Sequence, residues 1–257
     1  MLSPNSDEKS MNDWYLFEVT DDDSFTMRFI DPESSTVSEC MHSLRGAFSE
    51  TNYIYGYAIR EVITRELAPR FLSVGLGLGY CEILLSALLL RDFQAESFEI
   101  DSRLRDHFAS WVRNDDVPLE FQKVYDQTLK SSAELVGCSV ANVKKYLSLV
   151  QLRETLTDKT AFTEKFSCVL FDAFSSKSSP ELWTEEFLVE FFKKACAPDC
   201  VFATYACTGV LKRALRASGF EVLVRPGFSS KRDSTFAVRG RTLLSETEDL
   251  YDTLSIP

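Results

Sequence analysis

Histidine is almost missing from this chain, with two in 257 residues, and none of its seven cysteines forms a CxxC pair. The ligand sets that zinc prefers are therefore lacking, and no metal is expected. Cys196 and Cys200 come nearest to a ligand pair, but structural burial explains them as well. Four of the seven thiols lie in apolar runs typical of buried, reduced cysteine. No uninterrupted apolar run reaches the roughly 20 residues of a membrane helix. The opening MLSPNSDEKS has neither the basic nor the apolar part of a secretory signal. The expectation is a cytoplasmic protein with no membrane contact.

Positive charge is also scarce. The net charge is −11, which argues against a generic nucleic-acid binder. Its distribution is uneven: from Thr208 to Arg241 there are eight basic residues and two acids, leaving +6 in that stretch and −17 elsewhere. A basic face on an acidic body suits a polyanionic substrate held at one place. A solvated helix face with basic residues guarding strand edges would give the same pattern. Hydrophobic content of 45% and charged content of 26% are those of a soluble globular protein, and the length suits one domain.

The organisation is that of alternating strands and helices. Residues 14–30 alternate apolar and polar around an Asp-rich turn and predict a hairpin within an extension over 1–48. A helix is predicted from Ser49 to Leu67, ended by Pro69. Strands near 70–75 and 96–100 flank a helix at 80–91, a βαβ unit. Residues 102–148 exceed what a crossover needs and predict a helical insertion. Further strands are expected near 149–153, 167–172 and 200–206, with helices at 181–196 and 208–218. An antiparallel pair at 221–225 and 235–239 ends the sheet, followed by an acidic tail over 242–257.

The chemistry-bearing residues stand at strand ends. VGLGLGY places Gly75, Gly77 and Gly79 between an apolar strand and an apolar helix, where small residues allow close approach of a nucleoside-bearing ligand. A simple packing turn would read the same. Glu99, ending the next strand, is placed to accept hydrogen bonds from a ribose. Spacing does not separate a nicotinamide cofactor from S-adenosylmethionine, although G-x-G-x-G lacks the third glycine position of the dinucleotide fingerprint. The run CVLFDAFSSKSSPELW delivers Asp172 at a strand end, where open α/β sheets bind ligands. An Asp there suits orienting an amine or taking its proton better than it suits hydride transfer.

Several strings together resemble the methyltransferase domain of the tRNA 5-methylaminomethyl-2-thiouridine biosynthesis (MnmC) family and its stand-alone relatives. They are MHSLRGAFSETNYIY at 41–55, GLGLG at 75–79, FE at 98–99, DAFSSKSSPELW at 172–183 and ATYACTGVLKRALRASGFEVLVRPGFSSKRD at 203–233. The resemblance covers about residues 14–240 and is poorest in the helical insertion. It implies a Rossmann-like class I S-adenosylmethionine-dependent methyltransferase sheet. It also implies methylation of the 5-aminomethyl group on a tRNA wobble uridine, in the anticodon loop. Gly75, Gly77, Gly79 and Glu99 carry over as cofactor contacts, and Asp172 and Phe174 as the methyl-transfer site. Glu50 and Tyr53 match a pair near the cofactor, with His42 in the preceding loop. Lys212, Arg213, Arg225, Lys231 and Arg232 match positions facing RNA phosphate, and Tyr205 is a candidate for stacking on the base.

This chain departs from the family pattern at four places. Ser73 replaces an acid, Leu78 a threonine, and Ser176 and Ser179 a proline and an asparagine. The Gly-Asp pair that meets adenine aligns with Val150 and Gln151, whose amide can still hydrogen-bond the base. The chain also lacks the family's flavin-dependent oxidase half, so an aminomethyl substrate would arrive through a separate enzyme. Three other functions stay open on sequence: methylation of a small-molecule or protein amine, a non-catalytic binding protein with a degraded pocket, and a nicotinamide oxidoreductase.

Overall fold

Period-2 segments of β-branched and aromatic residues form the strands, and the longest apolar ones lie deepest in the sheet. The computed structural model describes residues 14–31, 33–229 and 233–240. Two strands, β1 (Tyr15–Val19) and β2 (Phe25–Phe29), form the expected hairpin. Seven more build one sheet: β3 (Arg70–Val74), β4 (Gln94–Phe98), β5 (Val150–Arg153), β6 (Phe166–Phe171), β7 (Cys196–Thr204), β8 (Glu221–Pro226) and β9 (Asp233–Arg239). Their order is β5-β4-β3-β6-β7-β9-β8, parallel from β5 to β7, with β9 antiparallel to both neighbours. β6, FSCVLF, sits in the middle with every residue buried.

Crossover helices cover the faces. Helix α1 (Ala47–Thr51) runs through a π-turn at Asn52–Gly56 into α2 (Tyr57–Thr64). Helix α3 (Tyr80–Leu89) joins β3 to β4 and is buried at nine of its ten positions. An apolar surface on all sides needs cover on all sides. The insertion supplies it with α4 (Ser102–Arg113), α5 (Leu119–Val136) and α6 (Val140–Leu147). Phe108, Phe121 and Tyr125 from these helices cluster with Ile83 and Ala87 of α3. Tyr15 and Phe17 of the hairpin meet the Phe121 ring edge-on at 5.4 and 5.1 Å. The Tyr80 hydroxyl, bonded to both N–H and C=O of Phe25, pins hairpin to helix. Burying each such ring contributes about 1.5–3 kcal/mol.

On the far side, a 3₁₀ turn at Pro180–Trp183 precedes α7 (Glu185–Ala195), and α8 (Gly209–Ala217) follows β7. Thr184 and Thr208 cap α7 and α8 through their side chains.

Element boundaries shift where turn chemistry competes with pattern. The first long helix starts two residues before its predicted start and stops at Thr64. β4 begins at Gln94 and ends at Phe98, so Glu99 stands just past the strand. β7 begins four residues early, at Cys196. Pro198 and Asp199 fall in an irregular stretch before β7 pairs with β9 at Cys200.

Candidate active site

The carboxyl ends of β4, β3 and β6 stand side by side, and their backbones lock the glycine turn between two acids. The N–H groups of Gly75 and Leu76 donate to Phe98 O at 2.9 and 3.1 Å, and that of Asp172 donates to Val74 O at 2.8 Å. Gly75 has φ +94°, and a Cβ there would lie 2.5 Å from the Asp172 carbonyl oxygen. The Gly77 N–H donates to Glu99 Oε2 at 3.0 Å, while Glu99 Oε1 accepts from Asp101 N–H at 2.9 Å. Burial raises the Glu99 pKa, and these amide donors pull against that rise.

The row of strand ends opens into a cavity of about 880 Å³. That volume lies within the range of cofactor and ligand sites. Gly75, Gly77 and Glu99 line it together with Ile100, and Glu154, Thr155 and Leu156 extend the wall beyond β5. Asp172, Phe174 and Tyr205 form another part of the wall, and His42 and Glu50 a third. The acceptor side is braced by hydrogen bonds. The Tyr55 hydroxyl donates to Asp172 Oδ1 at 2.6 Å, Tyr205 to Ala173 O at 2.9 Å, and the Trp183 indole to Phe174 O at 2.7 Å. Phe174 meets the Phe29 ring at 5.9 Å. Glu50 Oε2 accepts from Ser43 N–H at 2.7 Å, tying the loop that carries His42 to α1. Among the described residues, seven carboxylates and one guanidinium, that of Arg45, line the cavity.

Several residues expected at the site lie elsewhere. Gly79 does not line the cavity: a Cβ there would come within 2.4 Å of the Phe108 ring, so its smallness serves packing of α3 on the insertion. Gln151 is exposed and pairs with Glu96, two residues below the strand end. Its neighbours Glu154 and Thr155 take the wall position, because Arg153 is level with Phe98 and the next residue is level with Glu99. Tyr53 faces away, its hydroxyl donating to Pro226 O at 3.1 Å. Arg225 is buried with its guanidinium 4.0 Å from the Tyr57 ring and 4.9 Å from that of Tyr53, so it does not present a charge to phosphate. Lys212 is half-buried and Arg213 is exposed and paired with Glu185 at 2.8 Å; neither lines the cavity. Lys231 and Arg232 lie outside the described residues.

Tyr55 is not among the residues that the sequence points to, which are Glu50 and Tyr53 in this segment. The π-turn adds a residue to the turn and changes which side chain faces the sheet. Among the described residues, no group of three or more His, Cys, Asp or Glu is arranged to hold a metal, and no helix is long and apolar enough to cross a membrane.

The family model for S-adenosyl-L-methionine-dependent methyltransferases matches residues 117–240. An uncharacterized protein of Methanocaldococcus jannaschii, MJ0670, is 26% identical over 251 residues, covering 90% of this chain and 61% of that protein. The tRNA 5-methylaminomethyl-2-thiouridine biosynthesis bifunctional protein MnmC of Hahella chejuensis is 40% identical over 67 residues, 26% of this chain and 10% of that protein. MnmC of Campylobacter hominis is 23% identical over 200 residues, 74% of this chain and 28% of that protein. This chain therefore spans only part of the length of these relatives. Among solved structures, MnmC2 from Aquifex aeolicus superposes with a TM-score of 0.59 at 21% identity, covering 96% of this chain and 77% of that one. Spermidine synthase from Thermotoga maritima gives 0.52 at 15% identity, covering 98% and 89%. Both share the fold, an α/β architecture with a parallel-dominated sheet.

Proposed function

We propose that the chain, whose residues 117–240 match the S-adenosyl-L-methionine-dependent methyltransferase model, methylates a primary amine held at Asp172, the 5-aminomethyl group of a tRNA wobble uridine. The observation that carries the reading is Asp172 itself. It stands at the end of β6 on the cavity wall, held by Tyr55 and in backbone contact with the glycine turn. The names of the MnmC relatives supply the tRNA substrate.

The residues present fit the cofactor. Gly75 leaves a cradle that a Cβ would fill, Glu99 offers a carboxylate at a strand end, and Ile100 stands 73% exposed at the mouth. Gly75, Gly77 and Glu99 would hold the nucleoside and amino-acid parts, with Ile100, Glu154 and Thr155 beside the base. When bound, S-adenosylmethionine supplies an electrophilic methyl group on sulfur. Asp172 accepts hydrogen bonds from the ammonium form of the acceptor, orients its nitrogen, and takes a proton at Oδ2 so that the lone pair is released. Tyr55 occupies Oδ1 and fixes the carboxylate plane. Phe174 and Tyr205 bound the space beside it and confine the acceptor, and most acceleration comes from that alignment. The wobble base lies in a single-stranded loop, so presenting it costs less than extrusion from a duplex.

The acid-rich lining favours a second reading, a small amine with more than one positive charge. Transfer of a labelled methyl group from S-adenosylmethionine distinguishes the two. Label in tRNA bearing the aminomethyl uridine, with none in free di- and triamines, supports the tRNA acceptor. The reverse pattern replaces it with the small amine, and label in neither rejects amine methylation.

A further inference from the structure

The π-turn between α1 and α2 is clamped by a pair that does not line the cavity. Arg60 Nη2 donates to Asn52 Oδ1 at 2.8 Å, joining the first residue of the turn to a residue one helical turn beyond its end. Gly56 leaves room for the pair: a Cβ there would lie 2.7 Å from Asn52 Oδ1 and 2.9 Å from Arg60 Nη1. Inside the clamped turn sits Tyr55, 2% exposed, with its hydroxyl on Asp172 Oδ1 at 2.6 Å and 3.4 Å from Phe171 O. A π-turn is a costly local geometry that persists where something enforces it. In a regular helix the same side chain would point about 100° away per residue of displacement, off the Asp172 carboxylate.

We propose that Asn52 and Arg60 are positioning residues for the reaction, holding the π-turn that aims Tyr55 at Asp172. This rests on the reading of Asp172 as the acceptor-binding acid. The pair does not touch the reacting groups; it acts through the Tyr55 hydroxyl. That hydroxyl donates to a carboxylate, which favours the ionised form, so loosening it raises the protonation midpoint of Asp172. Among the described residues, the ionisable groups close to Asp172 include Tyr55 and Cys81 on the helix side and Tyr205 across the cavity, with Glu39 and Glu50 close to Tyr205. Glu99, Glu154, Glu181, Asp233, His42, Arg45, Cys40 and Cys207 are the other ionisable residues of the lining among those described. All but Tyr55 are unchanged in the variants below.

The test titrates the Asp172 carboxyl carbon by NMR in the full chain, assigned by its loss in Asp172→Asn. Tyr55→Phe is expected to raise the midpoint by about half a unit to one unit. Asn52→Ala, Arg60→Gln and Gly56→Ala are expected to move it in the same direction. Asn52→Asp, which keeps the acceptor oxygen, restores the wild-type midpoint. Asn52→Ala added to Tyr55→Phe changes nothing further, because both act through one bond. In turnover, kcat for methyl transfer falls about tenfold in Asn52→Ala while the KM for cofactor stays within twofold. A midpoint that stays at the wild-type value in Asn52→Ala and Arg60→Gln while Tyr55→Phe shifts it overturns the proposal. Additive shifts in the double variant overturn it too. If the wild-type chain methylates no amine, the proposed function fails, while the titration still decides the positioning role.

Discussion

Gly75 and Asp172 touch through their backbones: the space a Cβ would need at Gly75 is taken by the Asp172 carbonyl, 2.5 Å away. The glycine turn and Asp172 are therefore one rigid unit across β3 and β6. Gly75→Ala meets both a φ of +94° and this carbonyl, so something in the unit must shift. Cofactor affinity is expected to fall at least tenfold by calorimetry, and methyl transfer with it. An alanine variant with wild-type affinity and rate would remove the rigid coupling.

Asp172→Asn keeps the side-chain shape and an oxygen for Tyr55 but loses the negative charge. Methyl transfer is expected to drop by about 10²–10⁴, while affinity for S-adenosylmethionine, which the proposed site assigns to Gly75, Gly77 and Glu99, stays within threefold. Turnover within tenfold of wild type in this variant would place the proton acceptor elsewhere.

Glu82 offers a prediction about stability. It is buried on α3, where desolvation pushes its pKa from 4.5 to about 7, and Ser97 Oγ donates to its Oε1 at 2.6 Å. An acid whose folded pKa is raised holds its proton in the native state while the unfolded chain has lost it. Stability from this group therefore falls as pH rises from about 4.5 to about 7 and is level above that. Glu82→Gln should melt above wild type at pH 8, by roughly 1–3 kcal/mol in unfolding free energy, and match it at pH 4. Parallel melting curves across that range would show that Glu82 is not the group responsible.

Much of this architecture is legible in residue patterns, and the parts that are not have physical causes. The hairpin, the βαβ unit, the three-helix insertion and the antiparallel strands at the sheet edge follow from apolar periodicity and turn residues. Asp172, Glu99, Gly75 and Gly77 follow from strand ends. Tyr55 does not, because a π-turn has no hydrophobic signature and moves the buried face by one residue. Gln151 was placed by string alignment, whereas wall position depends on strand register, which puts Glu154 and Thr155 beside Glu99. Arg225 and Tyr53 show that a basic or aromatic residue in a conserved-looking string can be spent on packing: each stacks on the other instead of facing the cavity.

A tRNA acceptor and a small amine are told apart by charge reversal at two basic residues outside the described ones. The lining of the cavity is acidic, so an RNA backbone needs positive charge nearby to approach it, and the turn sequence between β8 and β9 contains Lys231 and Arg232. Reversing both, Lys231→Glu with Arg232→Glu, removes two phosphate partners if RNA is the substrate. The slope of log affinity for an anticodon stem-loop against log salt should then flatten by about 1–2, each neutralised phosphate on a single strand contributing about 0.7. Methylation of a free small amine should be unaffected or improve, since the introduced carboxylates repel an anion but attract a cation. Unchanged affinity and slope for RNA across 50–300 mM salt, a range of about sixfold, would detach these two residues from RNA binding and favour the small multiply charged amine.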